Sequence, residues 1–178
     1  MSIMIPSRLI EIVKDNKATR ILTGFWDSIY DALIKGTEFR GIDVYLNAST
    51  TAPRIAWTPI KFDTEILDTD GWYDPATGRF LPNVEGKYFV TAGAGIDDLD
   101  DGEYMLVAPH ISGVLTPKVG KNDASANAQI VAATTSGIID LNGVDEYVDI
   151  RGYHNNAADQ EFEGSSFYTT YFSAFLIK

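Results

Sequence analysis

Few side chains in this sequence have the type and spacing that chemistry requires. The only two histidines, His110 and His154, fall on different predicted strands with no third ligand at metal spacing. There is no cysteine, so a thiolate metal site or a cysteine nucleophile has no residue to draw on, and two separated histidines do not read as a zinc site. Asp68-Thr69-Asp70-Gly71 begins like a calcium loop, but Trp72 stands in the third ligand place and no glutamate closes it. Gly93-Ala94-Gly95 lacks the third glycine and the following helix of a dinucleotide fingerprint. Ser165 and Ser166 follow Gly164 without the flanking pattern of a nucleophile elbow, and neither histidine is placed as a base. With 25 acidic residues, some carboxylates fall close together by chance, which empties a glycosidase argument of force. The acidic run Asp97-Asp98-Leu99-Asp100-Asp101 reads as a solvated loop. The expectation is a protein that is not an enzyme and has no cofactor.

The elements that position side chains are more informative. A chain of 178 residues, 45% apolar, can bury one ordinary core. Residues 1–12 lack the basic and apolar regions of a signal peptide, and no run approaches the roughly 18–20 apolar residues that cross a bilayer. A soluble protein made in a cytoplasm, without membrane contact, is expected. Residues 1–40 carry a net charge of +1 and residues 41–178 one of -12, and no basic stripe interleaves with aromatics, so nucleic-acid binding is disfavoured.

Residues 1–40 carry helical signals. Arg8 to Lys14 form a short candidate helix, and a clearer one lies between the N-cap Thr19 and Gly36, with Leu22, Trp26, Ile29 and Leu33 on one face. That face needs covering, by its own domain, by sister subunits or by a larger assembly. In the last case Phe25, Trp26 and Tyr30 are the docking anchors, since aromatics favour buried interface cores. From Gly41 onward short β-rich runs alternate with Gly, Asn, Asp and Pro, the texture of a sandwich or barrel. Strands are predicted at 42–47, 54–62, 79–81, 86–93, 103–110, 129–134, 138–141, 147–153 and 166–177. Turns are predicted at Asp74 to Gly78, Asp100 to Gly102, Gly120 to Asp123, Asn142-Gly143 and His154 to Asn156. Gly86 is expected to adopt a backbone conformation closed to other residues.

Phe62, Asp68, Tyr73, Phe80, Gly86 and Tyr88 follow one another at the spacings of a known signature, and the segments Tyr73 to Phe80 and Gly86 to Phe89 carry its turn and strand. Leu141 to Val148 and the closing Tyr171 to Ile177 match two later parts in order, although Val90 and Ala92 stand where the signature has aromatics. On these residues, 41–178 resembles the C1q/TNF-like jelly-roll family. The resemblance implies an all-β, ten-stranded jelly roll of two packed sheets, here with a short N-terminal α-helical segment over 1–40, associating as a homotrimer with Tyr88, Phe172 and Phe175 near the threefold core. It also implies presentation and binding in place of catalysis, and calcium as the one metal that three acidic runs could gather at an apex.

The sequence has no collagen-like stalk and no cysteine, unlike animal members. The elements Phe62-Asp63-Thr64 and Asp68-Thr69-Asp70-Gly71-Trp72 are similar to those of tailed-phage head fibres, spikes and tail fibres. A virion structural protein is therefore expected: a spike, fibre or capsid decoration, assembled in the host cytoplasm and attached to other virion proteins through residues 1–40. The alternative is a module binding a host-surface glycan or protein, with Trp72, Tyr73, His154 and Tyr168 as contacts.

Overall fold

The computed structural model describes residues 39–125, 128–164 and 169–177. The helical segment expected over 1–40, with Phe25, Trp26 and Tyr30, lies outside the described residues as far as residue 38, and so does Tyr168. Fourteen strand segments occur: β1 Gly41–Tyr45, β2 Thr50–Ala52, β3 Thr58–Pro59, β4 Thr64–Asp68, β5 Tyr73–Asp74, β6 Arg79–Phe80, β7 Gly86–Leu99, β8 Tyr104–Ile111, β9 Val114–Leu115, β10 Gly120–Asp123, β11 Ala128–Leu141, β12 Val148–His154, β13 Gln160–Phe162 and β14 Tyr171–Ile177. They build two sheets of seven. Sheet A runs β2-β13-β7-β14-β1-β4, with β11 also paired to β7, and sheet B runs β10-β8-β12-β6-β5, with β3 also on β12 and β9 on β8.

Period-two alternation makes this a sandwich. Along β7 the inward set is Tyr88, Val90, Ala92, Ala94 and Ile96, all buried, while Lys87, Phe89 and Thr91 point out. On β14 the inward set is Phe172 and Ala174, and on β1 it is Ile42 and Val44. The centre is an aromatic cluster: Phe80 lies 5.5 Å from Tyr88 and 5.9 Å from Trp72, and Phe62 lies 5.9 Å from Phe172. Burying each such ring contributes about 1.5–3 kcal/mol, and edge-on pairs add about 0.5–1.5 kcal/mol. The polar tips of this aromatic cluster are satisfied. The Tyr73 hydroxyl accepts from Phe62 N at 2.9 Å and donates to Phe62 O, Tyr88 donates to Val84 O at 2.7 Å, and Trp72 Nε1 donates to Asn83 Oδ1 at 3.1 Å.

Several expected boundaries change. The predicted strand 54–62 is strand only at β3, because the chain turns at Arg54 and Ile55. The two strands 129–134 and 138–141 are one, since Ser136 and Gly137 continue the ladder opposite Thr91 and Val90. The expected turn Gly120 to Asp123 is β10, paired with β8. Gly86 is needed for space and not for a special dihedral: a Cβ there would meet Leu176 Cδ1 at 2.7 Å. The Asp74 to Gly78 turn forms as expected, with Gly78 at φ 74° and its N–H on Asp74 O at 2.8 Å.

Candidate functional site

With the interior filled, what remains for function is the outward surface of each sheet. The phase that buries Phe172 and Ala174 turns Tyr171, Ser173 and Phe175 out of sheet A. Phe175 pairs across strands with Phe89, ring centroids 5.2 Å apart, and Phe39 packs 5.5 Å from Phe175 on its other side. Gly93 leaves room for the Tyr171 ring, whose Cε1 would lie 2.5 Å from a Cβ at that position. Ser173 Oγ donates to Asp43 Oδ1 at 2.8 Å, and a shallow cleft of about 350 Å³ opens between Asp43, Tyr45, Ile66 and Tyr171. Around these rings the face is aliphatic and wet: Phe39, Ile66, Leu67, Ile130, Ile138 and Ile177 are all between 39% and 55% exposed. Large side chains left open on one surface mark an association face.

The same face becomes acidic at the far end of β7. Asp97 stands beside β13, where Glu161 and, just past the strand end, Glu163 flank Phe162, the residue paired with Ile96. Glu163 N donates to Gly95 O at 2.9 Å. The Glu163 carboxyl titrates above the ordinary glutamate value, first because it is partly desolvated and then because Asp97 and Glu161 lie close. One Asp97 oxygen, Oδ1, is buried without a partner. The left-handed Asp98, at φ 53°, then shifts the strand phase and returns Leu99 to the core. So the acidic run Asp97 to Asp101 is bent, and among the described residues no group of three or more His, Cys, Asp or Glu is placed to hold a metal ion in one chain.

The sequence candidates separate by strand phase. Tyr88 and Phe172 are fully buried inside the sandwich and cannot touch a sister subunit, so the expected interface loses both. Phe175 does point outward, and the residues that accompany it, Phe39, Phe89, Ile66 and Ile138, are not among the sequence candidates. Of the expected host contacts, Trp72, Tyr73 and His154 are buried. Asp68-Thr69-Asp70-Gly71 is a clamp and not a cation loop. Asp68 accepts from the backbone N–H of Trp72 at 3.0 Å and of Tyr73 at 2.8 Å, Gly71 sits at φ 68°, and Asp70 takes a two-pronged ion pair from Arg40 at 3.0 and 2.7 Å. The Arg40 guanidinium also lies 4.7 Å above the Trp72 ring.

The sequence profile of the C1q domain family matches residues 44–177. Among solved structures the chain is similar to the globular domain of zebrafish complement 1qA protein, with a TM-score of 0.59 and 16% identity over 78% of this chain and 98% of that one. It is similar to the Eiger TNF of S. frugiperda, with a TM-score of 0.58 and 10% identity over 79% and 93% of the two chains. Murine APRIL gives a TM-score of 0.58 and 10% identity over 79% of this chain and 100% of that one. No curated protein matches the sequence.

Proposed function

The chain belongs to the C1q domain family, and from that premise we propose that it works without catalysis, as a homotrimeric head whose subunits meet through the outward face of sheet A. The observation that carries this reading is the aliphatic and aromatic surface around Phe175, with Phe39, Ile66 and Ile138 each half exposed in a single chain. Placing three copies of that surface around one axis removes it from water, and about 25 cal/mol per Å2 of apolar area is gained in doing so.

The trimer is the projecting part of a phage virion protein: a spike, fibre or capsid decoration. Residues 1–40, with Phe25, Trp26 and Tyr30, attach it to other virion proteins. Support comes from the virion-like elements Phe62 to Thr64 and Asp68 to Trp72, and from Arg40, which the second of these elements fastens where the chain leads into β1.

Light scattering on the full chain tests the reading. A mass three times the 19.6 kDa of one chain is expected, falling to a single chain in Phe175→Asp. A wild-type protein that stays monomeric at micromolar concentration would refute it.

A further inference from the structure

The outward face of sheet B has a different chemistry. His110, Trp57, Tyr153 and Tyr104 follow one another there, with successive ring centroids 5.3, 5.6 and 6.2 Å apart, and Lys121 Nζ lies 4.7 Å from the Tyr104 centroid. The register sets this row: Gly152 pairs Thr58 and Val107, so Tyr153 and its neighbours Trp57 and Leu106 share one side of the sheet. His110 is buried beneath the row, while Trp57, Tyr153 and Tyr104 keep part of each ring in water.

Trp57 reaches the row through a strained bend. Ile55 sits at φ 52° and is 60% exposed, a left-handed backbone for a β-branched residue that buries little. Three hydrogen bonds hold the bend: Ile55 N to His154 O at 3.2 Å, Arg54 N to Asp159 Oδ1 at 3.0 Å, and Arg54 Nη1 to Ala157 O at 3.0 Å. The rings are thus preset.

We propose that this row is a stacking platform for a neutral glycan chain. The Tyr153 and Tyr104 rings lie within 24° of parallel, and Trp57 flanks them at 42° to Tyr153; such rigid rings give amphipathic contact area at small entropic cost, on which the C–H face of a pyranose ring can stack. The ring separations are comparable with the repeat of an extended sugar chain. The charges beside the row cancel in pairs, Lys121 with Asp123 and Arg151 with Asp149, and the net charge of -11 repels sulfated or phosphorylated polymers. A neutral chain fits that surface better than a polyanion. The platform lies on the sheet opposite the trimer face, so it stands or falls separately.

Calorimetric titration of the full chain with maltohexaose, cellohexaose, xylohexaose and chitohexaose tests it. At least one is expected to bind with a Kd of about 1 mM or tighter. Trp57→Ala and Tyr104→Ala should each weaken that binding about tenfold or more, and Trp57→Phe should keep part of it, with mass in solution unchanged and the folded state retained at the titration temperature. Absence of binding to all four, or binding indifferent to both alanine variants, would overturn the proposal. A monomeric mass with glycan binding intact would count against the trimer alone.

Discussion

The two outward faces share one backbone period and differ in what the period presents. On sheet A it presents Ile138 beside Phe89 and Phe175, with Ile66 near the Ser173–Asp43 pair and Ile130 toward the acidic end, a surface with apolar side chains at its centre. On sheet B it presents tyrosines, a tryptophan and paired charges. An aliphatic face gains only from another dry surface, whereas an aromatic and polar face can hold a ligand that stays hydrated. A sandwich with one face of each kind can assemble through the first and leave the second free.

The sharpest way to break this comparison is to separate face from core within one strand. Phe172 and Phe175 are both on β14, the first wholly buried and the second outward. Phe172→Ala should cost about 3–5 kcal/mol of stability, through lost burial and a cavity beside Phe62 and Phe80. Phe175→Asp should leave secondary structure and the monomer core intact while removing the trimer. Circular dichroism melts and solution mass together distinguish them. Equal melting losses without a change in mass would mean that the outward face does not associate.

A second variant tests the clamp at the end where Arg40 leads into β1. Asp68→Ala leaves the backbone N–H groups of Trp72 and Tyr73 without their acceptor, a loss of about 1–3 kcal/mol in chemical denaturation. Sugar titrations on this variant should match wild type, because the clamp lies away from Trp57 and Tyr104. A change in sugar affinity would tie the two regions together.

The jelly roll was legible because its signals are local: the Asp74 to Gly78 turn, the Asn142-Gly143 turn and the spaced aromatics from Phe62 to Tyr88 each act within a few residues. The interface was less legible because strand phase is set by the partner strand. Tyr88 and Phe89 are both aromatic, and only the pairing of Phe89 with Phe175 and Ile138 assigns one inside and one outside. The glycan platform gave no signal in sequence, since Trp57, Tyr104 and Tyr153 come from three separate elements and meet only when β3 and β8 flank β12.

The smallest expected effect concerns the acidic end of the sheet A face, and its sign is opposite to that of Asp63, Asp70 and Asp74. Asp63, Asp70 and Asp74 titrate below the ordinary 3.8: Asp70 through the Arg40 hydrogen bonds, Asp74 through Thr77 and Ala76, and Asp63 because its hydrogen bonds outweigh partial desolvation. They stabilise the fold above that pH, and their contribution is lost as pH falls through their lowered values. Glu163 titrates above the ordinary 4.5, from partial desolvation and the nearby charges of Asp97 and Glu161. Its contribution is fully present below 4.5 and is lost as pH rises through the raised value, so its carboxylate weakens the neutral protein. Acidification from neutral toward pH 4.5 should therefore raise the melting temperature slightly, before Asp63, Asp70 and Asp74 lower it below about pH 3.8. Glu163→Gln should remove that rise and lift the neutral melting temperature by about 1–2 °C, a small figure because the group is largely solvated. If the acidic end packs inside the trimer, the same variant should also tighten association at neutral pH, measured as a lower concentration for half-dissociation. Stabilisation without tighter association would place the acidic end outside the threefold contact and confine that contact to the surface around Phe175.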